Sequence, residues 1–311
     1  MPQKTDYRPF LWSGLIYLVA LGLTLMVSFQ EKALVESQQI VVPNLSGGLG
    51  GISGEGGLEN IAGAVAPGSI VPGIAYFLGV IALLGLVLFL VPVSGLKLVL
   101  RLFYGFAFVW GVFVVGAFLI PWVVAVVVAV GAGLAWLLAA RVWLHNGLLV
   151  LTLVGLSSVF GAMVSPWTVI VVMLVVAVYD YLAVRSRFML WMAKKLGESE
   201  ALPAFFVPRR LKGWKDRLKG EEVKQLLDGQ GEKRIAVLGG GDIFFPLILV
   251  ASVLFTGGLM NALVMAAFTL LGLAAAYAVH LFWFGGKATP ALPPIFVFSL
   301  VGLVLVRYIS G

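Results

Sequence analysis

The sequence predicts an all-α polytopic membrane protein of nine transmembrane helices, with its N-terminus in the cytosol and its C-terminus outside. Three observations carry this: the apolar composition, the division of the apolar residues into nine segments, and the one-sided distribution of the basic residues. Of 311 residues, 61% are hydrophobic and only 11% charged. A soluble domain carries about 25% charged residues, and apolar runs of ~18 or more read as membrane spans. The chain contains no cysteine, which excludes disulfides, thiol catalysis and cysteine-based metal sites. The net charge of +7 does not call for a nucleic-acid partner, because basic residues in a membrane protein chiefly set its orientation.

The apolar segments cover residues 10–29, 73–92, 98–120, 122–140, 148–164, 167–184, 235–256, 259–284 and 291–309. The first follows Lys4 and Arg8 in the manner of a secretory signal. Its apolar stretch is longer than a signal core and no small-residue cleavage site follows, so it reads as an uncleaved span. The third and fourth are separated only at Ile120-Pro121-Trp122, where proline interrupts the helical hydrogen bonding. Residues 30–69, with the glycine-rich stretch NLSGGLGGISGEGG and four glutamates, read as a flexible extracytoplasmic loop. Residues 186–234 read as a basic cytosolic loop, in which RSRFMLWMAKKL and KGEEVKQLLDG are predicted to form helical turns. With the N-terminus inside, nineteen of the 21 basic residues lie on the cytosolic side, and only Lys32 and Arg307 fall outside. The chain thus divides into an N-terminal bundle of six spans (1–185), the basic loop (186–234) and three C-terminal spans (235–311).

Twelve of the fourteen acidic residues lie in the N-terminal tail and the loops; Asp180 and Asp242 lie inside apolar segments. Charge at membrane depth costs several kcal/mol unless it is neutralised, paired or placed at water, so such residues are functional candidates. Span six runs inward and Asp180 precedes Arg185 by five residues, roughly 7–8 Å from the boundary. Span seven runs outward and Asp242 follows Ile235 by seven residues, roughly 10 Å deep. Antiparallel neighbours joined on the cytosolic side bring both carboxylates to one level. Glycines 239, 240 and 241 allow close backbone approach just before Asp242 and weaken a helix there, which a membrane tolerates only beside protein or water. Separately, Asp180 has a bland reading as a partner of Arg185, and Asp242 as a structural hydrogen-bonding group; the matched depth favours their acting together. Gly239-x-Gly241 also imitates a dinucleotide-binding turn. Phe244 occupies the place of the third glycine, no acidic residue follows about twenty positions on, and the next segment is a membrane span, so that reading is discarded.

Two carboxylates ~3 Å apart cannot both ionise, and a pair that shares one proton holds a base and an acid together. The base activates water against an amide carbonyl while the acid protonates the carbonyl oxygen and then the leaving amine. No HExxH is present and the only histidines are His145 and His280, of which His280 reads as a packed or interfacial residue. No cofactor and no metal are expected. The alternative from another class is a cation or proton channel or transporter that uses the same aspartates as relay groups.

Three stretches, AVYDYLAV (177–184), LGGGD (238–242) and KATPALPP (287–294), resemble the YD, GxGD and PAL motifs of the presenilin and signal peptide peptidase family. They fall in the family's order, at spans six, seven and nine. The resemblance implies a presenilin-like fold and an intramembrane aspartic endopeptidase with Asp180 and Asp242 as catalytic pair. It implies that Tyr179, Gly239 and Gly241 are motif residues, and that Pro290, Ala291 and Leu292 shape the site. It further implies substrates that are single-span membrane proteins, cleaved in the bilayer after local unwinding and held by exposed backbone. Prepilin-type peptidases share a GxGD aspartate, but the YD and PAL companions argue against them. The orientation favours the presenilin-like branch, and the short chain without a long acidic loop is expected to be a microbial homologue that needs no accessory subunits.

Overall fold

The computed structural model of the chain describes residues 8–37, 93–185, 203–218, 235–282 and 289–310. Its elements are α1 (Arg8–Glu36), α2 (Val93–Leu119), α3 (Trp122–Leu138), α4 (Val142–Met163), α5 (Pro166–Arg185), β1 (Ala204–Pro208), a 3-10 turn (Leu211–Lys215), β2 (Ile235–Gly239), α6 (Gly240–Phe282) and α7 (Leu292–Ser310). Six of the helices are long and apolar enough to cross a membrane; α3, at 17 residues, is shorter. The predicted second span, 73–92, and the two predicted helical turns of the basic loop beyond Arg185 lie outside the described residues. So does most of the loop at 30–69.

At about 1.5 Å per residue, the 43 residues of α6 would reach about 65 Å, twice the ~30 Å hydrocarbon core. The helix is in fact broken at Gly258, whose φ of 81° and ψ of 178° belong to a backbone region essentially reserved for glycine. The break falls between the predicted segments 235–256 and 259–284. The separation of α2 from α3 also follows the sequence, with Pro121 standing at the N-cap of α3.

Lipid tails are as apolar as leucine, so helix association in a membrane depends on close packing and on hydrogen bonds between helices. Both are seen here. The most enclosed helix, α4, meets α6 where Gly161 lies so near that an added Cβ would stand 2.4 Å from the Ala251 side chain. On its other side α4 meets α1 through a polar seam: Thr24 lies against Ser157 at 3.5 Å, and Ser28 donates to Ser158 at 3.1 Å. The Ser158 hydroxyl in turn donates to the Glu31 carboxyl. The sequence ends the first span at Phe29 and assigns Glu31 to the outer loop. In the structure α1 continues through Glu36 and Glu31 is only 3% exposed, because the serines across the interface satisfy its carboxyl.

The expectation of an all-α fold needs correction at one place. Strands β1 and β2 pair antiparallel, with Ala204 opposite Gly239 and Pro208 opposite Ile235. The predicted basic loop therefore contains folded structure, and residues 235–239 open no helix. Three successive glycines disfavour helix by about 1 kcal/mol each, and here they form the junction between strand and helix.

Candidate active site

Asp180 lies in the last turns of α5, where the helix dipole is unfavourable to a carboxylate. A different helix compensates. α7 begins at Leu292, and Leu292 donates its backbone N–H to Asp180 Oδ2 at 3.3 Å. The Ala291 amide lies within electrostatic reach of the same carboxylate. The first amides of a helix have no partner within it and carry the positive end of the dipole. Pro293 and Pro294 bring no N–H to that first turn, so the donors left at the start of α7 are concentrated where Asp180 sits. Leu292 also buries its side chain against Val176 and Ala177 of α5, with Phe245 of α6 packed alongside. This apolar wall joins the three helices directly beneath the polar contact.

Asp242 is the third residue of α6. It thus stands in a first turn rather than two turns inside a helix, which is the positional consequence of residues 235–239 being a strand. Its carboxyl lies within electrostatic reach of Asp180, and both side chains are half-buried. Pro246, four residues on, supplies no N–H to the Asp242 carbonyl, so the helix opens with a loosened turn. Among the described residues no cluster of three or more His, Cys, Asp or Glu could hold a metal ion.

The other residues singled out by the sequence separate into distinct positions. Gly239 closes β2 beside the carboxylate: a Cβ added there would stand 2.9 Å from Asp242 Oδ2. Gly241 is exposed, and a Cβ there would find only Phe245, at 3.9 Å. The tightest glycine is the one between them. Gly240 donates its N–H to the Pro203 carbonyl at 2.9 Å, and an added Cβ would be 2.8 Å from that same oxygen. Tyr179 is half-buried beside Asp180, while Pro290 is buried and lies just outside α7. Thr289, before Pro290, meets His280 Nδ1 through its hydroxyl at 2.9 Å, which ties the end of α6 to the start of the PAL stretch.

Sequence reasoning missed the residues that support β1. Asn146, in the second turn of α4, donates to the Phe206 carbonyl at 2.7 Å and accepts from the Phe206 N–H at 3.0 Å. His145 Nε2 meets the Ala204 carbonyl at 3.1 Å. The available signal was an adjacent His-Asn pair at the start of an otherwise apolar span.

A multi-pass helical bundle with two carboxylates at converging helix ends is the class that this fold and site define. A family model described as "Signal-peptide peptidase, presenilin aspartyl protease" matches residues 70–311, and the chain belongs to that family. It is an intramembrane aspartic protease, a peptide-bond hydrolase, and an integral multi-pass membrane protein. Family membership decides against the channel or transporter alternative as the primary activity. Two solved structures of a presenilin family intramembrane aspartate protease, from different crystal forms, are similar to it in fold. Their TM-scores are 0.57 and 0.56, each at 18% identity, over 98% of this chain and 100% of theirs. A comparison with curated proteins found no match.

Proposed function

We propose that Asp180 and Asp242 are the catalytic pair of an endopeptidase that hydrolyses peptide bonds within or near transmembrane helices. The observation that carries this is the convergence of the two carboxylates, Asp242 in the first turn of α6 and Asp180 near the end of α5, where the backbone at the start of α7 holds it. Sharing one proton, the pair acts as base toward a water molecule and as acid toward the scissile carbonyl oxygen, then protonates the leaving amine. The Leu292 amide fixes the orientation of Asp180, so that this carboxylate needs no reorganisation when water attacks.

The substrate is a single-span membrane protein that enters from the bilayer. A peptide bond within an intact helix is sterically shielded, so the substrate must unwind before attack. Among the described residues β2 pairs only with β1, and Val237 is 40% exposed. The outer edge of β2 therefore offers backbone groups to an unwound segment, in the manner of strand addition, directly before Gly239 and Asp242. With the N-terminus cytosolic, water reaches the pair from the cytosolic side and the cytosolic product leaves first. No accessory subunit is required.

The test is incubation of the purified protein with a single-span substrate in detergent. Wild type is expected to cleave, and Asp242→Ala and Asp180→Asn to remain folded but inactive. Substantial cleavage by either variant would end the shared-proton mechanism.

A further inference from the structure

We propose that Asn146 is a positioning residue for Asp242, acting through the two-stranded sheet; this rests on the reading of Asp242 as catalytic. The side-chain amide of Asn146 donates to one backbone group of Phe206 and accepts from the other. An asparagine amide carries one donor and one acceptor side by side, the same pair that a neighbouring strand would present. Asn146 therefore takes the place of a third strand along the outer edge of β1. Its 3% exposure means that water does not compete for these bonds, and buried backbone groups strongly require partners.

The geometry fixes which edge is which. Because the N–H and C=O of Phe206 face Asn146, Phe206 and its partner Val237 are a non-hydrogen-bonded pair of the ladder. Pro208, two residues further, also directs its missing donor away from β2, where proline is tolerated. From Asn146 the constraint passes to Asp242 in short steps. Phe206 holds its register on Val237, Ala204 lies opposite Gly239, and Gly240 donates to the Pro203 carbonyl. Asp242 follows two residues later. The His145 ring, bonded to the Ala204 carbonyl and set among Phe108, Trp136 and Phe206, supports the same strand two residue pairs closer to Asp242. A slip of β1 by one residue would turn every side chain to the opposite face and would move the start of α6.

The experiment uses full-length protein in detergent with a single-span substrate. Asn146→Leu keeps the four side-chain heavy atoms and the branch at Cγ, adds some bulk, and removes both hydrogen bonds. Amide exchange around residues 203–208 is expected to accelerate in this variant, while exchange in α6 beyond Pro246 stays slow. Cleavage is expected to fall at least about tenfold in kcat with KM little changed, since misplacement by ~1 Å costs on the order of 10²-fold. The chain has no cysteine, so Pro208→Cys with Ile235→Cys adds a single disulfide across the far end of the sheet. In the Asn146→Leu background, oxidation is expected to restore kcat to within about threefold of wild type, and reduction to remove the gain. Asn146→Ser, expected to show the same loss and rescue, replaces the leucine variant should that fail to insert. Unchanged kcat, a loss confined to KM, or a loss that the disulfide does not rescue would each overturn the proposal. Exchange is read without substrate. Slow exchange at 203–208 in wild type and faster exchange in Asn146→Leu, with no cleavage by either, would therefore leave the clamp standing and remove only the catalytic reading of Asp242.

Discussion

Replacing Gly240 with alanine tests the site at its narrowest point. The added Cβ would stand 2.8 Å from the Pro203 carbonyl oxygen, and ordinary contact begins near ~3.4 Å, so strand or helix must retreat by about 0.6 Å. The same movement stretches the Gly240–Pro203 hydrogen bond, now 2.9 Å, worth about 1 kcal/mol. Overpacking adds roughly 1–3 kcal/mol, and the reduced freedom of the unfolded chain returns roughly 0.5–1 kcal/mol. The net expectation is a destabilisation of about 1–3 kcal/mol, together with a loss of about 10- to 100-fold in kcat, because Asp242 rides on the displaced turn. Gly241→Ala is the control in chemistry and size. Its Cβ would meet only Phe245, at 3.9 Å, so its thermal midpoint should match wild type, and any effect should enter through KM as the methyl occupies space next to the carboxylates. The assay pairs thermal unfolding with steady-state cleavage of a single-span reporter in micelles. The reasoning fails if Gly240→Ala keeps wild-type kcat and stability, or if Gly241→Ala is the less stable of the two. The motif resemblance alone would weight these residues the other way, since it leaves the position of Gly240 open.

Three further outcomes follow from single features. Gly258→Ala forces alanine into a backbone region essentially reserved for glycine, and unfolding should show a loss of about 1–3 kcal/mol, with the remaining activity per folded molecule unchanged; equal stability would mean that the break relaxes freely. Thr289→Val removes the contact with His280 and should lower kcat about fivefold, equivalent to roughly 1 kcal/mol. Thr289→Ser should retain activity, and equal behaviour of the two variants would exclude the contact as a brace. Glu31→Ala leaves Ser158 without its carboxyl partner and should destabilise by only about 0.6–2 kcal/mol, the range of hydrogen bonds between membrane helices. Glu31→Gln should recover most of that loss in thermal unfolding, and a glutamine variant as unstable as alanine would show that shape, not hydrogen bonding, holds the seam.

What the sequence revealed, and what it hid, depended on the range of the determining force. Among the described residues, span positions were legible because apolar burial in lipid is set residue by residue, and the break at Gly258 and the turn at Pro121 were legible because glycine and proline act on their own backbone. The two aspartates were visible because charge is rare in such segments. The strands were not visible. Ile235–Gly239 continues without interruption into the apolar run of α6, and AFFVP of β1 is a short apolar run; periodicity cannot separate strand from helix in either case. The decisive partners, Asn146 against Phe206 and Gly240 against Pro203, lie far apart in sequence. Glu31 was misplaced for a related reason: hydropathy ends a span at the first charge, whereas the helix continues wherever a neighbouring helix supplies hydroxyls.

The GxGD and PAL stretches contain few reactive side chains, and the structure gives a physical reason for the rest of their composition. Each surrounds a carboxylate with backbone whose hydrogen bonding is incomplete within its own helix. At α7 this results from Pro293 and Pro294, which withhold donors, so that the Leu292 and Ala291 amides are directed to Asp180. At α6 it results from Gly240, whose amide bonds outward to Pro203, and from Pro246, which supplies no donor to the Asp242 carbonyl. In lipid such backbone is tolerated only against protein or water, and with the two aspartates as the proposed catalytic pair, the hydrolase requires water at this place. The glycines and prolines therefore do more than allow close backbone approach. By turning backbone polar groups away from their own helices, they supply, on the proposed reading of the two aspartates, an environment in which both water and an unwound substrate are stable beside the carboxylates.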